Sequence, residues 1–177
     1  MADGPWLSNR EQRAWRGFLA VQQQLNRRIA QELQREAGLS LADYEVLVRL
    51  SEAPGQTLRA IELAAATDWE KSRLSHQIGR MTERGLIAKE LCGNTRHAHV
   101  TLTPHGRSVI EAAAPLHVAH VRRVFVDALS PEQIDALADV STAILTHLCG
   151  GPTPCDRDDV GSFAPTCDGT AAEVASA

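Results

Sequence analysis

The chain reads as mainly α-helical with one small β-hairpin, and three observations carry that reading. Apolar residues recur at helical spacing on both sides of a central stretch, residues 57–103. Within that stretch two short helical patterns stop at Gly85, and two β-like runs, 86–92 and 97–103, then flank Gly93-Asn94-Thr95-Arg96. Capping residues, third, stand where the patterns begin and end. Helix, turn, helix, hairpin is the order of a winged helix-turn-helix, a module that sets one helix in the DNA major groove. The predicted architecture is therefore an N-terminal dimerisation helix (1–40), the winged helix-turn-helix (41–103), C-terminal dimerisation helices (104–150) and a disordered acidic tail (151–177).

Taken in order, Ser8-Asn9-Arg10-Glu11 is a capping box for a long helix that Gly38 closes after Ala37. Trp15, Phe18, Leu19, Leu25, Ile29 and Leu33 form its apolar seam, which asks for a partner helix. Ser40 caps a second helix, with Asp43 at its electropositive end and Leu41, Tyr44, Leu47, Val48 and Leu50 facing a core. Ala53-Pro54-Gly55 stops it. A third helix is predicted over 58–66, burying Leu58, Ile61, Leu63 and Ala64 or Ala65. Thr67-Asp68, with Glu70 completing a capping box, is read as the start of a fourth.

That fourth helix is the predicted recognition helix. Leu74, Ile78 and Met81 should be buried, leaving Lys71, Ser72, Arg73, Ser75, His76, Gln77 and Arg80 exposed. Arginine reads guanine, glutamine reads adenine and serine serves either, so these are base-edge and phosphate donors. At the hairpin tip Asn94, Thr95 and Arg96 are placed to enter an adjacent minor groove. Residues 69–107 hold seven cations against three anions, while the whole chain is at −4. A local basic face is the footprint of phosphate binding, and net charge can hide it.

Thr103-Pro104 opens the next helix with a cap and a proline at N1; it is predicted to reach about 129, bent at Pro115. Ser130-Pro131 starts the last helix, whose stripe Ile134, Leu137, Ala138, Ser141, Ile144, Leu145 and Leu148 is read as buried. Beyond 150 the composition offers little to bury and carries five acids against one arginine.

Length and composition exclude several classes. With 177 residues, 44% hydrophobic and 23% charged, the chain is a globular domain able to bury a core. No apolar run of 18 residues spans a membrane and the N-terminus lacks a secretory h-region, so a cytoplasmic protein with no membrane partner is expected. Cys92, Cys149, Cys155 and Cys167 form no C-x-x-C pair, and neither metal nor cofactor is expected. There is no phosphate-binding glycine loop, no His-x-x-x-His pair and no nucleophile elbow. Ser75 and His76 are adjacent on a helix and point apart, so no catalytic residues are assigned.

From about Glu11 to Leu148 the order of elements resembles the MarR (multiple antibiotic resistance regulator) family of winged-helix transcription factors. The most specific parts are Arg80-Met81-Thr82-Glu83-Arg84-Gly85-Leu86-Ile87 and the run from Arg96 into Val100-Thr101-Leu102-Thr103-Pro104-His105-Gly106. The family's wing usually carries Asp-x-Arg, where this chain has Asn94-Thr95-Arg96, and His76 stands where relatives often have arginine. The resemblance implies a homodimer with intertwined terminal helices on a pseudo-palindromic double-stranded DNA operator. Its half-sites would lie about one helical turn, ~34 Å, apart. It also implies repression relieved by a small-molecule effector of unknown identity, often phenolic or anionic, or by cysteine oxidation. Trp15, Tyr44, His117 and His120 are the candidate effector-site residues, with ordinary packing as the alternative. His117 and His120, three apart, also suit proton or metal binding, and Cys92 is either a redox thiol or an inert one. The competing classes are a winged-helix protein-interaction module and a His-rich metal-binding helical dimer. The cations Lys71, Arg73, Arg80, Arg84 and Arg96 discriminate, since a protein-binding module would not need so many on one face and a metal protein should bind zinc even after they are removed.

Overall fold

The computed structural model describes residues 6–91 and 98–149. Helix α1 spans Asn9–Ala37: the Ser8 hydroxyl accepts from the Glu11 N–H, Glu11 caps back, and Gly38 closes the helix at φ +63°. A second capping box, Ser40 with Asp43, starts α2 at Leu41–Glu52. A short 3-10 turn, Pro54–Gln56, follows, in which Gly55 and Gln56 both take positive φ.

The reversal at Gly55 and Gln56 produces the first departure from expectation. Leu58, predicted in a helix, lies in strand β1, Thr57–Arg59, and α3 is only Ala60–Thr67. Three residues are too few for an alternating pattern to declare itself, and the strand exists because the rest of the sheet is there to pair with it. Ile61 also faces solvent at 55% exposure instead of the core. Thr67 does not cap the next helix: it is the last residue of α3, its hydroxyl donating to the Leu63 carbonyl. Asp68 takes the left-handed conformation, and the Trp69 N–H reaches back to the Ala64 carbonyl. This reversal buries the Trp69 indole, whose large apolar area outweighs the lost cap. Helix α4, Lys71–Glu83, therefore starts with Glu70 as an N-cap that makes no side-chain bond.

Gly85 (φ +68°) ends α4 and leads into β2, Ile87–Leu91, which pairs antiparallel with β3, Ala98–Leu102. Strand β3 is central, in the order β1-β3-β2, with Leu58 opposite Val100 and Ile87 opposite Leu102. The predicted antiparallel strand pair is present, and β1, which was not predicted, adds a third strand to its sheet. Helix α5, Pro104–Val124, is capped by Thr103 and runs through Pro115. It ends five residues before the predicted stop at 129, in a 3-10 turn at Val126–Ala128, and α6 spans Pro131–Cys149.

The core lies under α4, between α2, α3, the sheet and the start of α5. Its members include Val46, Leu47, Leu50, Leu63, Leu74, Ile78, Met81, Ile87, Val100, Leu102 and Ile110. The outer helices differ. The α6 stripe predicted to be buried is mostly exposed in the protomer, Ile144 at 48% and Leu148 at 70%, and only Leu145 of it is half-buried. On α1, Leu33 is buried, but Trp15, Phe18 and Leu19 face outward. The helical period of both seams is as read, but the burial expected of the α6 stripe is not met among the described residues. The hairpin tip with Cys92, Asn94, Thr95 and Arg96, and the tail from 151 on, lie outside the described residues.

Candidate nucleic-acid interface

Helix α4 buries Leu74, Gln77, Ile78 and Met81, at spacings of three, one and three, and this seam fixes which face is left out. Lys71, Ser72, Arg73, Ser75, His76 and Arg80 are exposed. Gln77, predicted among them, is not: it is 1% exposed, so it is unavailable to a base. The signal was legible, since position 77 is three after Leu74 and beside Ile78, on the apolar seam itself.

The enclosed Gln77 has partners. Its amide nitrogen donates to Asp43 Oδ1 at 2.5 Å, and its Oε1 accepts from Arg80 Nη2. Asp43 Oδ2 accepts from Arg84 Nη1 at 2.7 Å and from the Ser40 N–H at 2.9 Å. Burial pushes the Asp43 carboxyl up, but the bonds from Ser40 and the Arg84 guanidinium outweigh it and hold the group below the ordinary aspartate value. Arg84, counted among the basic face, is committed to Asp43 and, at 2.8 Å, to the Gly38 carbonyl.

Arg73 stays on the surface, its guanidinium 4.1 Å above the Trp69 ring centroid. Stacking on the buried indole limits the arginine's rotamers while leaving its N–H edges free to donate. The i, i+4 spacing of an aromatic and an arginine was the sequence signal for this pair, and it was missed. Beside α4 lies an open hollow of about 270 Å3, lined by Arg59 and Ile61, by Lys71 and Ser75, and by Lys89 of β2. Cations from three elements thus line one hollow beside α4, although Arg59 is also paired with Glu62 at 2.5 Å.

The candidate effector residues divide. Tyr44 and His117 meet ring to ring, centroids 4.5 Å apart. His120, on the same helix, is 6% exposed, its Nδ1 2.7 Å from Arg123 Nη2 and 3.3 Å from Glu32 Oε1. His120 Nε2 is enclosed and has no partner. Burial, then the neighbouring His120, push His117 down, and burial with the Glu52 charge pushes the Tyr44 phenol up. Trp15 stacks on Phe18 on the outer face of α1, away from this cluster, and is half exposed. Among the described residues no three of His, Cys, Asp or Glu are grouped to hold a metal ion, and no helix is long and apolar enough to cross a membrane.

No family model matches the chain. Among solved structures it is similar to AbsC, a MarR family transcriptional regulator from Streptomyces coelicolor. That likeness is 43% identity with a TM-score of 0.77, over 83% of this chain and 99% of AbsC. Sco3205, a MarR family transcriptional regulator from the same organism solved in complex with DNA, is 35% identical. Its TM-score is 0.76, over 81% of this chain and 94% of Sco3205. An uncharacterized HTH-type transcriptional regulator of Bacillus cereus is 24% identical over 133 residues, 75% of this chain and 87% of that protein.

Proposed function

The chain belongs to the MarR family of transcriptional regulators, and from that premise we propose that it is a sequence-specific, effector-responsive repressor that binds a pseudo-palindromic operator as a homodimer. The observation that carries the reading is the exposed face of α4. There Lys71, Ser72, Arg73, Ser75, His76 and Arg80 present phosphate and base donors on a helix whose opposite side is locked into the core. Arg73 is held over Trp69, and Lys71 and Lys89 flank the same hollow. Asn94, Thr95 and Arg96 would extend the contact into the minor groove.

The exposed apolar residues of α1, α5 and α6 support dimerisation. Trp15, Phe18, Leu116, Val118, Ile144 and Leu148 form faces too apolar to leave in water. A twofold pair would carry two α4 helices to successive major grooves, on half-sites about 34 Å apart. In each subunit residues 1–40 and 104–150 would serve dimerisation and 41–103 DNA. Tyr44, His117 and His120, between the α1–α5 pair and α2, are the residues offered to a small-molecule effector, and the unpartnered His120 Nε2 is a group such a ligand would satisfy.

The test is a gel shift with the purified protein on the DNA upstream of its own coding sequence, across a salt series. Selective binding that weakens linearly in log–log with salt supports the reading. Failure to bind that DNA, or random duplex at low salt, would refute it.

A further inference from the structure

Gln77 is the only polar residue among the buried residues of α4, and it closes a chain of hydrogen bonds between three helices. The chain begins at the Gly38 carbonyl that ends α1, passes through Arg84 to Asp43 at the head of α2, crosses to Gln77, and finishes on Arg80 at the exposed side of α4. No side-chain nitrogen or oxygen in it is enclosed without a partner. We propose that Asp43, Gln77 and Arg84 are positioning residues for DNA recognition: they set the rotation of α4 about its own axis and the pose of Arg80, so that base discrimination depends on residues that need not touch DNA. The inference rests on the reading of α4 as the recognition helix.

Directionality separates the two kinds of contact that hold α4. Apolar contacts are non-directional, so the seam of Leu74, Ile78 and Met81 by itself tolerates small rotations of α4. Hydrogen bonds weaken steeply with misalignment, and an enclosed amide without a partner is penalised. The helix is therefore held at the one rotation where Gln77 meets Asp43. The stakes follow from helix geometry: side-chain tips lie about 6 Å from the axis, so a turn of about 20° moves them by about 2 Å. A bidentate base contact does not survive such a shift. The network starts at the C-terminus of α1, so the rotation of α4 is referred directly to the long helix.

The experiment uses the full chain with Asp43→Asn and Gln77→Met, and a duplex that the wild type selects from a random-sequence pool. A scrambled duplex of equal length serves as reference. Both substitutions keep side-chain volume. The expected result is a fall of about tenfold in the ratio of specific to non-specific affinity, with non-specific affinity retained because the phosphate-binding cations are untouched. The double variant should lose no more than the worse single one, as members of one network do. An unchanged ratio in folded variants, or two losses that simply add, would overturn the proposal. If Asp43→Asn does not fold, Gln77→Met carries the test, since its thioether fills the same enclosed slot. Lys71→Ala, on the outer side of α4, separates the two layers. An unaltered salt slope there would refute α4 as the DNA-contacting helix. A reduced slope with an unchanged ratio in Gln77→Met would overturn only the positioning role.

Discussion

Replacing Gly106 by alanine should destabilise this protein, although alanine is the better helix former. Gly106 lies in the first turn of α5, where a Cβ would stand 2.0 Å from the Leu86 carbonyl oxygen, and real Cβ contacts essentially never fall below 3.0 Å. The obstacle is backbone, so α5 must withdraw from the start of the wing. Withdrawal strains the bond from the Thr103 N–H to the Leu86 carbonyl (3.2 Å) and those of the Thr103 hydroxyl to the Gly85 and Leu86 carbonyls (2.7 and 3.0 Å). The cap itself, Gly106 N–H to Thr103 Oγ1 at 2.9 Å, is disturbed with them. Overpacking costs about 1–3 kcal/mol, and a lost cap or hydrogen bond about 1 each. Alanine's helix propensity returns up to about 1 kcal/mol. The net is a loss of about 2–4 kcal/mol, or roughly 4–16 °C in melting temperature. Circular dichroism melts at one fixed protein concentration measure it, with Gly79→Ala as the reference. A Cβ at Gly79 meets nothing within 4 Å, so that variant should gain up to about 1 kcal/mol. Equal or higher stability in Gly106→Ala would refute the close-approach argument.

Four further outcomes are expected. Arg73→Ala should weaken operator binding by about 1–3 kcal/mol while its melting temperature falls little, because the lost stacking on Trp69 is worth only about 0.5–1 kcal/mol at an exposed site; wild-type affinity would remove Arg73 from the interface. Lys71→Ala should reduce the salt slope of binding by about 1 with little change in sequence preference, read from the same titrations. Ile144→Asp should yield a folded monomer in sedimentation, since Ile144 is half exposed in the protomer and a charge there is hydrated until a second copy must cover it; an undisturbed dimer would take α6 out of the interface. Burial holds His117 below its ordinary value of 6.5, so between the folded and unfolded values the unfolded chain binds the extra proton. Stability should therefore fall as the pH drops below about 6.5, and denaturant titrations of His117→Phe should show a shallower fall.

The sequence alone determined the local elements, because their causes are local. Two capping boxes, a left-handed glycine at the end of α1 and a threonine–proline start for α5 each satisfy backbone groups within a few residues. They set these helix starts to the residue. The family resemblance was legible for the same reason, in contiguous runs such as 80–87 and 100–106. The tertiary structure decided whatever depended on residues distant in the chain. Strand β1 forms because β3, some 40 positions later, offers it an edge, and three residues carry no period of their own. The burial of Trp69 turned an apparent cap at Thr67 into the close of α3. Gln77 left the exposed face because Asp43, 34 positions away, stands opposite it and satisfies a group that an apolar core would not accept. The outer stripe of α6 shows the limit from the other side. Its period says that it should be covered, yet among the described residues most of it stands exposed, because apolar area favours burial without specifying which surface supplies it.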